Sequence, residues 1–271
     1  MNHPTKPQVS RGPRGTPRLA AALLGMVVLA ACGAARTQAD QDRDGKLVAD
    51  ALRNAYSQGA AFKLDQQLLI LGGDIPSGQA IQVHATVSNG VLKNDAARFA
   101  YKIQQGRQAA TYDMLIARQQ LFVKSRSAST WKTTALPSTT TLYPPLRLDL
   151  VRETVLLARS VSAGAITHID AGFAHKYTVQ PAPDQLEQLE SIPVQGAAED
   201  QFLKTARAQI DIYLITPGNK LGRIELQMLG VDPSNGEKQE IVSTLDVRPA
   251  KVSAIQAPSD AEQVAPADIL T

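Results

Sequence analysis

Alternation of apolar and polar residues at a period of two recurs along this chain, and that period puts every second side chain on one face of a strand. Ile81, Val83, Ala85 and Val87 alternate with Gln82, His84, Thr86 and Ser88. Later, Ile224, Leu226 and Met228 alternate with Arg223, Glu225 and Gln227. Phe62, Leu64, Leu68 and Ile70 share one parity between Ala60 and Leu71, with Gln66 the exception. Strands of this kind need one face covered and leave the other wet, as in antiparallel sheets. Turn residues separate the runs at 72–78, Gly106, 217–220 and 232–236, and Asn89-Gly90 is a strong tight-turn signal. Phe99, Tyr101 and Ile103, then Tyr112, Met114 and Ile116, then Leu121-Phe122-Val123 and Trp131 complete a predicted meander. Ile210, Ile212 and Leu214, with 240–248, belong to a second group of strands.

Helical spacing interrupts this pattern in few places. Val48, Ala51, Leu52, Ala55 and Tyr56 predict a helix over 46–57, with Asp44 available to cap it and Gly59 to end it. Leu148, Val151, Val155 and Leu156 predict a second over 146–160, stopped by Gly164. Shorter helices are expected at 184–189 and 199–206, and short strands at 166–169 and 175–179. So few helices cover a long sheet most economically if the sheet curves around them. The expected fold is α+β: a curved antiparallel β-sheet, an open half-barrel, with helices against its concave face. A strand–helix–strand rhythm is missing, which argues against a doubly wound nucleotide fold.

The amino terminus carries a separate message. Lys6, Arg11, Arg14 and Arg18 precede an uncharged run from Leu19 to Ala31. The run is shorter than the roughly 20 apolar residues of a membrane span but fits the core of an export signal. It ends in Leu29-Ala30-Ala31-Cys32, which resembles a bacterial lipobox. That resemblance implies cleavage before Cys32, a diacylglyceryl group on its thiol, and a protein tethered to the outer face of the cytoplasmic membrane. Cys32 is the only cysteine, so no disulfide forms within the chain, and a free thiol would be an odd leftover in an exported protein. Four of the 28 basic residues lie in the signal, leaving 24 against 25 acidic ones. A near-neutral mature chain gives no support for nucleic-acid binding. The expected organisation is a signal peptide over 1–31, a lipidated solvated tether over 32–45, one domain over 46–248 and a disordered tail over 249–271.

The lipobox, first helix and meander together resemble the LppX/LprG-type lipoproteins, and more widely the LolA-like half-barrel proteins. Leu121-Phe122-Val123-Lys124 followed by Trp131-Lys132, and the stretch Leu214-Ile215-Thr216-Pro217-Gly218-Asn219-Lys220-Leu221-Gly222-Arg223-Ile224-Glu225, carry the resemblance beside the element order. It implies a carrier that holds acyl chains of a lipid or glycolipid between sheet and helices, with an envelope transporter or acceptor as protein partner. The lining candidates are Phe62, Leu64, Val83, Phe99, Tyr101, Tyr112, Met114, Ile116 and Phe122, with Leu148, Val151 and Val155 as the opposite wall. All are equally at home as ordinary core. The alternative is an envelope interaction or sensor module on the same fold without lipid cargo. An open slot on the concave face favours the carrier, a filled one the module.

Constellations that resemble chemistry are incomplete. Ser129-Thr130-Trp131-Lys132 has the Ser-x-x-Lys spacing of penicillin-binding enzymes but sits in a Ser/Thr-rich turn without the accompanying motifs. Gly73 to Gly78 has a phosphate-loop spacing, with Gln79-Ala80 where Lys and Ser/Thr are required. Asp40, Asp42, Asp44 and Gly45 copy half of a calcium loop, but Ala51 stands where a bidentate Glu is needed. His168, Asp170 and His175 are metal-ligand types, and His168 and Asp170 share a face, yet the seven-residue separation of the histidines puts them on opposite faces of a continuous strand unless Gly172 makes a turn. His84 stands alone on a polar strand face. The chain is expected to be no enzyme and to carry no cofactor or metal.

Overall fold

The computed structural model describes residues 37–73, 75–76, 79–94, 96–136, 148–186 and 205–270. Cys32 and the whole signal segment lie outside them, as do most of the helices expected at 184–189 and 199–206.

The first helix, α1 (Gln38–Gln58), buries Val48, Ala49, Ala51 and Leu52 on one stripe. It begins well before Lys46. Thr37, not Asp44, caps it, in a reciprocal capping box with Asp40. Gln38 donates to Asp42 and Arg43 pairs with Asp40, so the polar residues read as a solvated tether satisfy one another along a helix. The half calcium loop is therefore helical, with Asp44 buried beside Arg43.

From Gly59, where φ turns to 94°, the chain enters a run of six strands. These are β1 (Ala60–Leu71), β2 (Ile81–Lys93), β3 (Ala96–Gln105), β4 (Gln108–Ala117), β5 (Gln120–Ser125) and β6 (Lys132–Ala135). Asn89-Gly90 does not turn the chain. β2 runs straight through it with a bulge, and the hairpin closes at Asn94, whose φ is 53°.

After α2 (Leu148–Leu157) come β7 (Ser160–Ile169), β8 (Gly172–Gln180), β9 (Arg207–Ile215), β10 (Lys220–Val231), β11 (Lys238–Pro249) and the short β12 (Glu262–Gln263). Gly164, expected to stop a helix, lies inside β7, because α2 already ends at Leu157.

The twelve strands form one open sheet in the order β12-β6-β5-β4-β3-β2-β1-β11-β10-β9-β8-β7. Neighbours are antiparallel except β12 and β6. β1 joins the two meanders by pairing with β11 along its whole length, from Ala60 opposite Pro249 to Leu71 opposite Lys238. α1 approaches β7, β9 and β10 at one side and β2 at the other, and packs on α2, so both helices lie within the curve of a half-barrel.

Residues 250–270 are not a free tail. Glu262 N–H donates to Trp131 O and Val264 N–H to Thr133 O, which seats β12 on the edge strand β6. Ile255, Ala257 and Ala261 pack on Leu115, Ala117 and Phe122, as Trp131 does. Ile269 is buried, and Tyr112 Oη donates to Leu270 O at 3.1 Å. An Ala/Pro/Asp-rich composition has too few large apolar residues to nucleate a core. Edge hydrogen bonds and an apolar patch supplied by the sheet hold it instead.

Candidate functional site: the concave face of the sheet

The strand register assembles the inner face into rows. One row runs Ile103, Ala85, Gln66, Ser243, Leu226, Ile210, Val179 and Val161, each residue the direct partner of the next from β3 to β7. The row below it runs Tyr101, Val87, Leu64, Leu245, Ile224, Ile212, Tyr177 and Ala163. Above it stand Val83, Leu68, Ile241, Met228 and Ala208. Period-two alternation in each strand keeps these side chains on one side, and the ladders put them edge to edge. Val48, Ala51 and Leu52 of α1 and Leu148, Val151 and Val155 of α2 belong to the same buried cluster.

Eleven of the twelve lining candidates come together here. Phe62, Leu64, Phe99, Tyr101, Met114, Ile116, Leu148, Val151 and Val155 are buried in the cluster, and Val83 and Tyr112 pack against it half-buried. The rings of Phe62 and Phe99 lie 5.9 Å apart. Phe122 is the exception. Its neighbours Leu121 and Val123 face the cluster, so parity sends Phe122 through the opposite side, against the carboxy-terminal segment. Three consecutive apolar residues gave no indication of which one turns outward.

The three rows contain no charged side chain. Charge is concentrated on the convex side, where Arg223 Nε donates to Asp246 at 2.7 Å and Lys176 pairs with Asp211 at 2.8 Å. Arg223 is held more basic than usual, chiefly by the hydrogen bond to Asp246. Tyr213 Oη donates to Glu225 at 2.7 Å, and burial followed by that bond raises its pKa. Tyr101, in the lower row, has its pKa pushed up to about 12, first by burial and then by Tyr112.

Sequence reasoning passed over the polar residues of the inner face. Gln66, Ser243 and Gln239 are each 1% exposed. Gln239 Nε2 donates to Glu237 at 2.7 Å, but its Oε1 has no partner. Ser243 Oγ has none either. Gln66, as the break in the parity of β1, was the available signal.

The other motif residues serve locally. Lys132 donates to Asp268 O at 3.3 Å, and Lys124 lies over the Trp131 ring at 5.3 Å. The Ser-x-x-Lys stretch is a bend entering β6, not a helix. His168 stands opposite Phe173 with rings edge to face at 5.3 Å, and His175 stands opposite Ile166, its ring against Tyr177. Among the described residues no group of three His, Cys, Asp or Glu could hold a metal. His84 is not alone, for its Nε2 lies 3.0 Å from Asp65. A depression at the start of β2, lined by Ile81, His84, Gln104 and Gly106, opens to solvent away from the concave face.

No family model matches the chain, and no match is found among curated proteins. Among solved structures the chain is similar in fold to LprF from Mycobacterium bovis, at 10% identity and a TM-score of 0.41, over 81% of this chain and 98% of that one. Lipoprotein LppX from Mycobacterium tuberculosis is similar at 10% identity and a TM-score of 0.43, over 81% and 99%. A LolA superfamily protein from Nitrosomonas europaea is similar at 12% identity and a TM-score of 0.27, over 85% and 97%.

Proposed function

We propose that this protein is an exported, lipid-anchored carrier, held to the membrane through Cys32, that binds acyl chains on the concave face of its sheet and moves a lipid or glycolipid within the cell envelope. The observation that carries this reading is the set of uncharged rows, eight strands wide, facing two helices. Each acyl methylene withdrawn from water onto such a face contributes about 0.8 kcal/mol, so one or two chains bind well without any charged motif. No catalytic group is needed for this work. The rows are closed over, with Ile212, Met228, Ile241 and Leu245 fully buried, so cargo enters as the helices part from the sheet.

That closure, a filled face and not an open slot, favours a second reading, an envelope interaction or sensor module that uses the same fold and holds no lipid. Native mass spectrometry of residues 33–271, which contain every described element, separates the two. A solvent-extractable extra mass that releases acyl chains on fragmentation is the expected result. A clean protein mass that persists after lipids are added would remove the carrier reading and direct the search to a protein partner.

A further inference from the structure

Ser243 stands at the centre of the concave face, with Gln66 of β1 on one side and Leu226 of β10 on the other. Above this row lie Leu68, Ile241 and Met228, and below it Leu64, Leu245 and Ile224. The hydroxyl is buried and unpartnered, although alanine would fit there at no polar cost. A buried hydroxyl with no partner carries its full desolvation cost, and its O–H is free to donate.

Resting on the carrier reading, we infer that Ser243, beside Gln66, is the polar contact point of the cargo site, and that the cargo carries a neutral carbonyl of the ester type flanked on both sides by hydrocarbon. The carbonyl oxygen takes the Ser243 O–H, and the acyl segments on either side lie along the apolar rows above and below. A carboxylate does not suit the position, because the rows offer no cation to pair with it and an unpaired buried charge is far costlier than an unpaired hydroxyl. The site therefore selects esterified lipid over free fatty acid.

The test compares two lipids, the ester oleyl oleate and the ether dioleyl ether, which keeps both chains and lacks the carbonyl. Binding to residues 33–271 is titrated for the wild type and for Ser243→Ala. The wild type is expected to bind the ester about tenfold more tightly than the ether, the worth of one buried hydrogen bond. Ser243→Ala is expected to lose that preference, keep the ether affinity and melt no lower than the wild type, since it removes an unpaired buried group. Oleate at neutral pH should not compete. A wild type without preference, a variant that keeps it, a variant weakened equally toward both lipids, or effective competition by oleate overturns the inference and leaves the carrier standing. Failure of the wild type to bind either lipid overturns both.

Discussion

The ring of Phe62 occupies the space into which any side chain at Gly90 would project: a Cβ there would fall inside van der Waals contact with the ring edge. The two residues are partners across β1 and β2, at the place where the register shifts between Phe62 and Leu64. Asn89, with φ at 52°, takes up the irregularity, so a pair that signals a hairpin instead builds a bulge against which an aromatic ring packs.

Gly90→Ala should therefore destabilise the protein by about 1–3 kcal/mol, the usual cost of overpacking. Gly90→Ala combined with Phe62→Leu should recover part of that loss. Chemical denaturation of the two variants measures it, and an unchanged midpoint for the single variant would contradict the contact.

Removing residues 250–271 should uncover Phe122 and Trp131 and strip Tyr112 of its acceptor at Leu270. Loss of the buried Ile269 alone is worth about 2 kcal/mol. A red shift of the single tryptophan's emission and a lower melting temperature are expected. A truncated protein with unshifted emission would mean that the segment does not cover this face.

Tyr101 shapes the alkaline limb of stability. Its pKa rises from 10.0 to about 12 on folding, so the folded state keeps the phenol neutral while the unfolded chain releases the proton. The contribution is complete below pH 10 and is lost as pH climbs toward 12. The slope from this group is at most about 1.4 kcal/mol per pH unit. Tyr101→Phe should flatten the unfolding free energy measured against pH in that window, and an unaltered profile would refute the assignment.

Asp232 acts at the acid end. Ser234 donates to its carboxylate twice, chiefly from Oγ at 2.6 Å and then from N–H at 2.8 Å, which holds the group below its ordinary value of 3.8. A depressed carboxylate stabilises the fold above the unfolded value, and that support disappears as pH falls through the folded one. Ser234→Ala should move the Asp232 carboxyl titration, followed by carbon NMR, upward toward 3.8. No movement would show that the hydroxyl does not set it.

Alternation of apolar and polar residues was enough to place most strands, because burial on one side of a sheet demands it residue by residue in β1 and β10, although β9 is buried on both faces from Ile210 to Leu214. It also picked out most of the strand residues that meet in the buried cluster, Phe122 excepted, and it exposed Gln66 as a break in the pattern. What it could not convey was anything that depends on distant partners. The reach of α1 back to Gln38 rests on polar pairs that look solvated in sequence. The order of residues 250–270 rests on a strand edge and an apolar patch supplied by β4, β5 and β6. Phe122 turns outward because its two neighbours turn in. Gln66 and Ser243 lie 177 positions apart in the chain and meet only because β1 pairs with β11. Local periodicity is written into consecutive residues, whereas register between remote strands is decided by the packing of the whole sheet, and that is where the polar centre of the concave face arises.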